Sequence, residues 1–378
     1  MIMKKSVIIT AIALGFLYSC GCSKSSASVE QPSANFETDP NTFCFYYNWY
    51  GLQETDGKIY HWRHNILSDG GSSGDLGTIP GTRNNIATNY FPESGIYSSK
   101  DRATIRRHMN EMASAGIGVV ALTWWKNSDI GQSSIPTLFE EAERAGIKVC
   151  FHIEPYEGRT AESVKMDIKG LINQFGAYKS FYRIDGRPIF FIYDSYMISQ
   201  DDWARVLTPD GENTLRGTEY DSIVIGLLLN KNDRYSIKVS GFDGAYTYFA
   251  TTGFTEGSTP TNWSELQKWF ASQKMFFIPS VGPGYIDTRI RPWNGRNTRD
   301  REHGKYYENM WNGAINSGAN YVAITSFNEW HEGTQIEPAV PKVSDDGSFT
   351  YLDYTPQSPD FYLTETKRHI TNFVSHRK

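Results

Sequence analysis

The chain has 378 residues and a formal net charge of −5 at pH 7, and its Lys and Arg residues form no cluster. This length suits one large domain, and the charge pattern argues against nucleic acid as a partner. Aromatic residues make up 14% of the chain, including 10 Trp and 23 Tyr, which indicates either a large aromatic core or a surface on which sugar rings stack.

The N-terminus has the order of a bacterial secretion signal. Lys4 and Lys5 precede an apolar run over residues 7–17, which is too short to span a bilayer. The run ends in Leu17-Tyr18-Ser19-Cys20, which resembles a lipobox, so we expect residues 1–19 to be removed and Cys20 to be lipidated. The mature protein is expected to be a lipoprotein of the bacterial outer membrane that faces the periplasm or the cell exterior. The Ser-containing residues 20–40 are predicted to be its flexible tether.

From residue 41 to residue 378, apolar runs alternate with helical patterns. Eight runs predict strands, at 43–48, 118–124, 148–153, 188–193, 223–229, 242–248, 275–281 and 321–326. Eight patterns predict helices, at 101–115, 136–145, 162–175, 201–207, 233–239, 263–272, 306–317 and 360–374. Because the strands are continuously apolar, they predict a parallel sheet covered on both faces. Eight such units close most simply into a single α/β domain, a (β/α)8 TIM barrel with extended βα loops.

Polar and aromatic residues collect where the predicted strands end, which is where a barrel of this kind carries its chemistry. Seven of the eight strands deliver such residues: Tyr46, Tyr47, Trp49, Trp124, Trp125, His152, Glu154, Tyr193, Asp194, Tyr246, Tyr248, Tyr285, Asp287, Arg291, Trp293 and Asn294, with the last strand leading to two glutamates. The connections over 49–100 and 282–302 are too long for simple joints and are predicted to bind substrate.

The two glutamates follow the last predicted strand. Glu329 and Glu332 lie three residues apart, among Asn328, Trp330 and His331. Glycoside hydrolysis needs such a pair, because one carboxyl group must hold a proton for the departing oxygen while the other stays ionised. A charged loop facing solvent is the alternative interpretation.

Other chemistries have weaker support in the sequence. His61, His64, His152 and His331 could bind a metal, but no thiolate accompanies them, and we expect neither a metal nor a cofactor. Cys44 and Cys150 fall on predicted strands and are expected to be unpaired core residues. No G-x-S-x-G directly follows a predicted strand, as the nucleophile elbow of an esterase requires. A non-catalytic sugar-binding lipoprotein would keep the aromatic residues but would not need both glutamates, and it stays as the alternative function.

Several long motifs resemble glycoside hydrolase family 99, the endo-acting α-mannosidases of animals and gut bacteria. They are FYYNWYG (45–51), HWRH (61–64), FHIEPY (151–156), YDSY (193–196), GFDGAYTYFA (241–250), IPSVGPGYIDTRIRPWN (278–294), NTR (297–299) and SFNEWHEGTQIEP (326–338). The resemblance covers residues 43–341. Together with the lipobox and a Trp at position 124, it implies an enzyme similar to the bacterial endo-α-1,2-mannanases that attack fungal mannan.

The resemblance also implies roles for individual residues. In the family's retaining mechanism a base, matched by Glu329, takes the proton of the substrate's own 2-hydroxyl, which forms a 1,2-anhydro sugar. Glu332 matches the residue that first protonates the leaving oxygen and then activates water. Without the resemblance, the chemistry would equally allow a nucleophilic carboxylate. Trp124 is expected to stack on the −2 sugar.

The positions expected to bind substrate are Tyr46, Tyr47, His61, Trp124, His152, Glu154, Tyr193, Tyr248, Arg291, Asn294 and Trp330. The expected partners are α-mannan or a high-mannose oligosaccharide and, through the lipid, the outer membrane. A monomer is expected.

Overall fold

The computed structural model describes residues 36–64, 66–67, 85–126 and 128–377. The predicted signal peptide, the predicted lipidation site Cys20 and the predicted tether up to residue 35 lie outside these residues. Within the described ranges, no helix is both long enough and apolar enough to cross a membrane.

The described chain alternates strands and helices. The strands are β1 (Asp39–Tyr46), β2 (Ile117–Trp124), β3 (Lys148–Ile153), β4 (Arg183–Ile184), β5 (Arg187–Ile192), β6 (Ile223–Leu227), β7 (Gly244–Tyr246), β8 (Phe276–Ile278), β9 (Ser280–Val281), β10 (Val322–Ile324), β11 (Lys342–Val343) and β12 (Thr350–Tyr351). The helices are α1 (Gln53–Asp56), α2 (Arg102–Ser114), α3 (Asp129–Ala145), α4 (Ala161–Phe175), α5 (Gln200–Leu207), α6 (Asp233–Val239), α7 (Trp263–Ser272), α8 (Lys305–Ser317) and α9 (Phe361–His376).

The main sheet is a ring of parallel strands. Its order is β8-β7-β6-β5-β3-β2-β1-β10-β9, and β4 pairs antiparallel with β5 outside the ring. Pro279 separates β8 from β9, since proline has no N–H for the ladder. β8 pairs with β7 and β9 pairs with β10, so one short stretch of chain joins the two ends of the sheet. The predicted (β/α)8 barrel is confirmed, with its seventh strand broken in two.

The alternation of side chains along β1 decides which of them point into the barrel interior. The Phe45 ring lies 4.7 Å from the His152 ring and 5.8 Å from the Tyr246 ring, in the barrel interior. Successive strand residues point to opposite faces. Tyr46 therefore faces the helices, and Tyr47 returns to the interior at the mouth.

Residues paired in register on neighbouring strands point to the same side of the sheet. Phe45 pairs with Ala121, and Thr123 pairs with His152, so Ala121, Thr123 and the residue after β2, Trp125, share the interior side. Trp124 takes the opposite side and is 7% exposed.

Helix beginnings follow their capping residues. The Asp101 side chain accepts the backbone N–H of Thr104 at 2.9 Å, so α2 begins where it is predicted. The start predicted for α3 is wrong, because Pro136 looks like a first-turn proline. Ser128 instead caps the helix seven residues earlier, by accepting the N–H of Gly131 at 3.1 Å, and Pro136 lies inside it.

Candidate active site

The loop that carries the two glutamates, residues 326–338, is called here the acidic loop. Its anchor is Asn328, whose Oδ1 accepts the backbone N–H of Tyr47 at 2.7 Å and whose Nδ2 donates to the Tyr47 carbonyl at 2.9 Å. The Tyr50 hydroxyl donates to the Asn328 carbonyl at 2.9 Å and accepts the N–H of Trp330 at 3.1 Å. The loop that follows β10 is thus tied to the end of β1 on both sides of Glu329.

Glu329 lies at the inner end of the acidic loop. It is 3% exposed, its backbone N–H donates to Ser326 Oγ at 2.8 Å, and its Oε1 accepts the N–H of His331 at 3.1 Å. Burial raises the pKa of Glu329 well above its ordinary value, and the charge of Glu332 raises it further. A carboxylate in this position is a stronger base than one in water.

Glu332 lies closer to solvent, with its side chain 25% exposed, and its Oε1 is 3.4 Å from Arg291 Nη1. Burial raises the pKa of Glu332, the Arg291 guanidinium opposes this, and the charges of Asp287 and Glu154 add to it. Two carboxyl groups with raised pKa values in one loop can divide the tasks of proton donor and proton acceptor near neutral pH.

A buried polar chain forms the floor of the site. Glu154 Oε1 lies 2.8 Å from His152 Nδ1, and His152 Nε2 lies 2.7 Å from the Tyr246 hydroxyl. The Tyr248 ring stacks on the His152 ring with a centroid distance of 5.7 Å, and the Tyr193 ring meets Tyr248 edge-on at 4.9 Å. Both ring nitrogens of His152 thus face protein partners.

The phenol groups of Tyr47 and Tyr248, which follow β1 and β7, join this floor to the acidic loop. The Tyr47 hydroxyl is hydrogen-bonded to the Tyr248 hydroxyl, and the Tyr248 ring is the one that stacks on His152. Burial raises the pKa of both phenols, and the glutamate charges add to this, so both stay protonated and can donate to a bound hydroxyl.

Two clefts open near the acidic loop. The first, called the tryptophan cleft, has a volume of about 520 Å³ and is lined by Trp49, Lys58, Tyr60, His61, Trp125, Lys126, Ser128, Asp129, Ile130, Pro155, Tyr156 and Glu157. The His61 ring stacks on Trp49 at 4.3 Å, and Trp49 lies 5.5 Å from Trp125 and 6.4 Å from His331 between ring centroids. This aromatic surface leads from the acidic loop and suits the apolar faces of a sugar.

The second cleft, called the Glu332 cleft, has a volume of about 290 Å³. It is lined by Phe249, Thr251, Phe254, Tyr285, Arg291, Trp293, Asn294, Asn297 and Glu332. Trp293 is 75% exposed and Phe254 is 49% exposed, which leaves two large rings open to a ligand. Glu332 is thus the glutamate that meets a chain lying in this cleft.

Most predicted substrate-binding residues meet at one place. Tyr47, His152, Glu154, Tyr193 and Tyr248 line the floor, His61 lines the tryptophan cleft, and Arg291 and Asn294 line the Glu332 cleft.

Two of the predicted substrate-binding residues, Tyr46 and Trp330, lie in the core and need correction. Tyr46 is fully buried, and its hydroxyl is 2.9 Å from His108 Nδ1, on the helix side of the sheet. Trp330 is fully buried, and its indole N–H donates to Glu337 Oε2 at 2.9 Å. By the register of β2, Trp124 falls on the side opposite Trp125, and Trp125 is the one of the two that lines the tryptophan cleft, so stacking of a sugar on Trp124 stays a prediction. The alternation of side chains along β1 and β2 is the signal that would have separated these neighbours.

The sequence predicts no specific role for two residues of the site, Asn328 and Asp287. Asn328 is the anchor of the acidic loop, and Asp287 collects hydrogen bonds beside Glu332.

Several known proteins are similar to this chain over most of its length. The model of glycosyl hydrolase family 99 matches residues 37–375. The chain is 44% identical over 348 residues to the glycoprotein endo-alpha-1,2-mannosidase of Rattus norvegicus, covering 88% of this chain and 75% of the relative. It is 40% identical over 350 residues to the Homo sapiens glycoprotein endo-alpha-1,2-mannosidase-like protein, covering 89% and 76% of the two chains.

A solved structure is similar over nearly its whole length. The GH99 endo-alpha-mannosidase from Bacteroides thetaiotaomicron is 49% identical, with a TM-score of 0.84, and the match covers 90% of this chain and 99% of that one. The same enzyme in complex with bis-tris propane gives a TM-score of 0.82 at 48% identity, over 89% of this chain and 98% of that one.

Proposed function

The chain belongs to glycosyl hydrolase family 99 and is a glycoside hydrolase, and on this basis we propose that it cleaves internal α-1,2-mannosidic bonds in mannan or high-mannose glycans. The reaction retains the configuration of the sugar and releases a disaccharide-type product. The observation that carries the proposal is the placement of Glu329, which is buried, and Glu332, which is partly exposed, in one loop at the mouth of the barrel. The relatives named as endo-alpha-mannosidases support the substrate class.

The proposed first step forms a 1,2-anhydro sugar. Glu329 takes the proton of the mannose 2-hydroxyl, O2 attacks C1, and the C1–O bond to the leaving group breaks as Glu332 gives its proton to that oxygen. An α-mannoside permits this attack because its axial 2-hydroxyl lies trans to the leaving group. The enclosed Glu329 suits the base, and Glu332, on the wall of its cleft, suits the donor to a leaving chain.

The proposed second step reverses the proton transfers. Glu332, now ionised, takes a proton from water, whose oxygen attacks C1 and opens the three-membered ring. Glu329 returns its proton to O2, so both glutamates regain their starting states. Each carboxyl group therefore acts once as acid and once as base, which requires two groups poised near the working pH.

The substrate is proposed to cross both clefts. The tryptophan cleft takes the sugars on the non-reducing side, with Trp125 as the stacking surface, and the Glu332 cleft takes the departing chain. Side-by-side assays on fungal mannan and a glucosylated high-mannose glycan test this substrate choice. We expect mannan to be the better substrate, and release of only the glucosylated disaccharide would contradict this.

The catalytic roles are tested by Glu332→Gln. We expect it to lower the rate on mannan by about 10²–10⁴-fold, because general acid help is lost. A substrate whose leaving group needs no proton should lose far less. Glu141→Gln is a matched control, since Glu141 is a buried glutamate paired with Arg102 and Arg106 between α2 and α3, away from the site. Equal losses on both substrates would refute the acid role of Glu332.

We also propose that Cys20 anchors the protein in the outer membrane. The support is the lipobox-like order of Leu17-Tyr18-Ser19-Cys20 after a short apolar run. Cys20→Ser should move the protein from the membrane fraction to the soluble fraction of the cell envelope. Retention in the membrane fraction would contradict the assignment.

A further inference from the structure

Asp287 is a buried carboxylate beside the proposed general acid, and the two-glutamate mechanism gives it no task. It is fully buried, and three side chains donate to its Oδ2: the Tyr285 hydroxyl at 2.9 Å, Arg291 Nη1 at 3.0 Å and Asn294 Nδ2 at 2.8 Å. Its Oδ1 is also buried and has no hydrogen-bond partner among the described residues. Three donors on one oxygen suit an ionised carboxylate, which accepts and does not donate.

The same segment is attached to the acidic loop. The backbone N–H of Ile286 donates to the Glu332 carbonyl at 2.8 Å, and the N–H groups of Ile290 and Arg291 donate to the Asp287 carbonyl at 3.0 and 2.8 Å. Asp287 is therefore fixed at the base of a turn that carries Arg291 back toward Glu332.

Arg291 is shared unequally between two carboxyl groups. Its Nη1 lies 3.0 Å from Asp287 Oδ2 but 3.4 Å from Glu332 Oε1. A guanidinium that paired fully with Glu332 would favour the ionised form of that carboxyl group, and a general acid must instead hold its proton. The closer contact with Asp287 reduces this effect.

We propose that Asp287 is a positioning residue that holds Arg291 away from Glu332 and so keeps the proton of the general acid in place. The inference rests on the proposed function, because it needs Glu332 to be the acid. The direction of the electrostatic effects agrees: Arg291 lowers the pKa of Glu332, and the charge of Asp287 raises it.

Other charged and titratable groups around Glu332 are common to every variant compared below. They are Glu154 after β3, Glu329 and His331 in the acidic loop, Tyr285 in the Asp287 segment, and Tyr47, Tyr193 and Tyr248 in the segments that follow β1, β5 and β7. A difference between variants in the pH dependence of kcat/KM can therefore be assigned to the change at Asp287 or Arg291.

The test is the pH dependence of kcat/KM on mannan, whose basic limb reports loss of the acid's proton. Asp287→Asn keeps the shape and an acceptor oxygen but removes the charge, so Arg291 is free to pair with Glu332. We expect the basic limb to move to lower pH by about one unit. Arg291→Gln removes the cation and should move the limb in the opposite direction, to higher pH. Arg291 is half-exposed, so this second variant tests the proposal even if Asp287→Asn folds poorly.

Asp243→Asn is the matched control. Asp243 also pairs with arginines, Arg187 at 2.9 Å and Arg216 at 2.8 Å, but it precedes β7 at the other end of the barrel. It should leave the basic limb unmoved. If Asp287→Asn and Arg291→Gln lower kcat/KM equally at every pH without moving the limb, both residues are merely structural and the inference is overturned.

Failure of the proposed function can be distinguished from failure of the role proposed for Asp287. If Glu332→Gln loses as much activity on a substrate with an activated leaving group as on mannan, Glu332 is not the acid, whatever Asp287→Asn does. If Glu332→Gln behaves as an acid variant while the limbs of the two other variants stay in place, only the role of Asp287 is lost.

Discussion

Replacement of Asn328 by Ala should release the acidic loop from the end of β1. The side chain makes three buried hydrogen bonds, two with the Tyr47 backbone at 2.7 and 2.9 Å and one with the Tyr97 hydroxyl at 3.2 Å. Each contributes about 0.5–1.5 kcal/mol, and an unsatisfied buried N–H adds a penalty of its own, so Asn328→Ala should lower the free energy of unfolding by about 2–4 kcal/mol. Denaturant titration measures this loss.

The same change should reduce catalysis, because Glu329 follows Asn328 directly. A displacement of about 1 Å in a catalytic group costs on the order of 10²-fold in rate, and we expect kcat to fall by about that factor. Asn48→Ala is the matched control. Asn48 is equally buried at the end of β1, but its Nδ2 donates to Gly131 and Ser134 of α3, at 2.9 Å each.

The two variants should therefore differ in activity more than in stability. Asn48→Ala should lower the free energy of unfolding and leave kcat within a few-fold of the wild type. If Asn328→Ala lost stability and kept a wild-type kcat, the acidic loop would hold Glu329 without its anchor, and the reasoning would be refuted.

Three further outcomes are expected. Because the pKa of Glu329 is raised in the folded state, the folded protein binds that proton more tightly than the unfolded chain, and stability falls as pH rises above the ordinary carboxyl range. Glu329→Gln should therefore be equal in stability to the wild type near pH 4 and more stable than it at pH 7, as measured by denaturant titration, and equal stability at both would contradict this. Trp125→Tyr should change the ratio of kcat/KM for mannosyl-mannose over glucosyl-mannose donors by about ten-fold or more. Trp124→Tyr should lower kcat/KM for the two donors alike. A changed ratio with Trp124→Tyr and an unchanged ratio with Trp125→Tyr would identify Trp124 as the stacking residue. Prolonged chelation should leave the rate on mannan unchanged, and a loss restored by one divalent ion would refute the metal-free mechanism.

Long apolar runs made the barrel predictable. A continuously apolar segment such as β2 is buried on both faces, and eight of them with helices between them leave few alternatives. The break at Pro279 was harder to anticipate, because the residues on each side of it are apolar and read as one strand. The early start of α3 depended on a cap at Ser128, which competes with the stronger signal of Pro136.

The site was predictable at the level of strand ends but not of single side chains. The two glutamates follow a buried strand directly, so their place at the mouth follows from the fold. Tyr46 and Trp124 stand one residue away from Tyr47 and Trp125, and a single residue reverses the face of a strand. The task of Asp287 depends on distances to Arg291 and Glu332, which a linear pattern does not contain.

The stereochemistry of the first product tests the central claim most directly. NMR spectroscopy of mannan cleavage, recorded before mutarotation, should show the α-anomer of a released disaccharide with the wild-type enzyme. It should show no product over the same time with Glu329→Gln or Glu332→Gln. A β-anomer as the first product would mean that water attacks the substrate directly, and it would contradict the two-step mechanism assigned to Glu329 and Glu332.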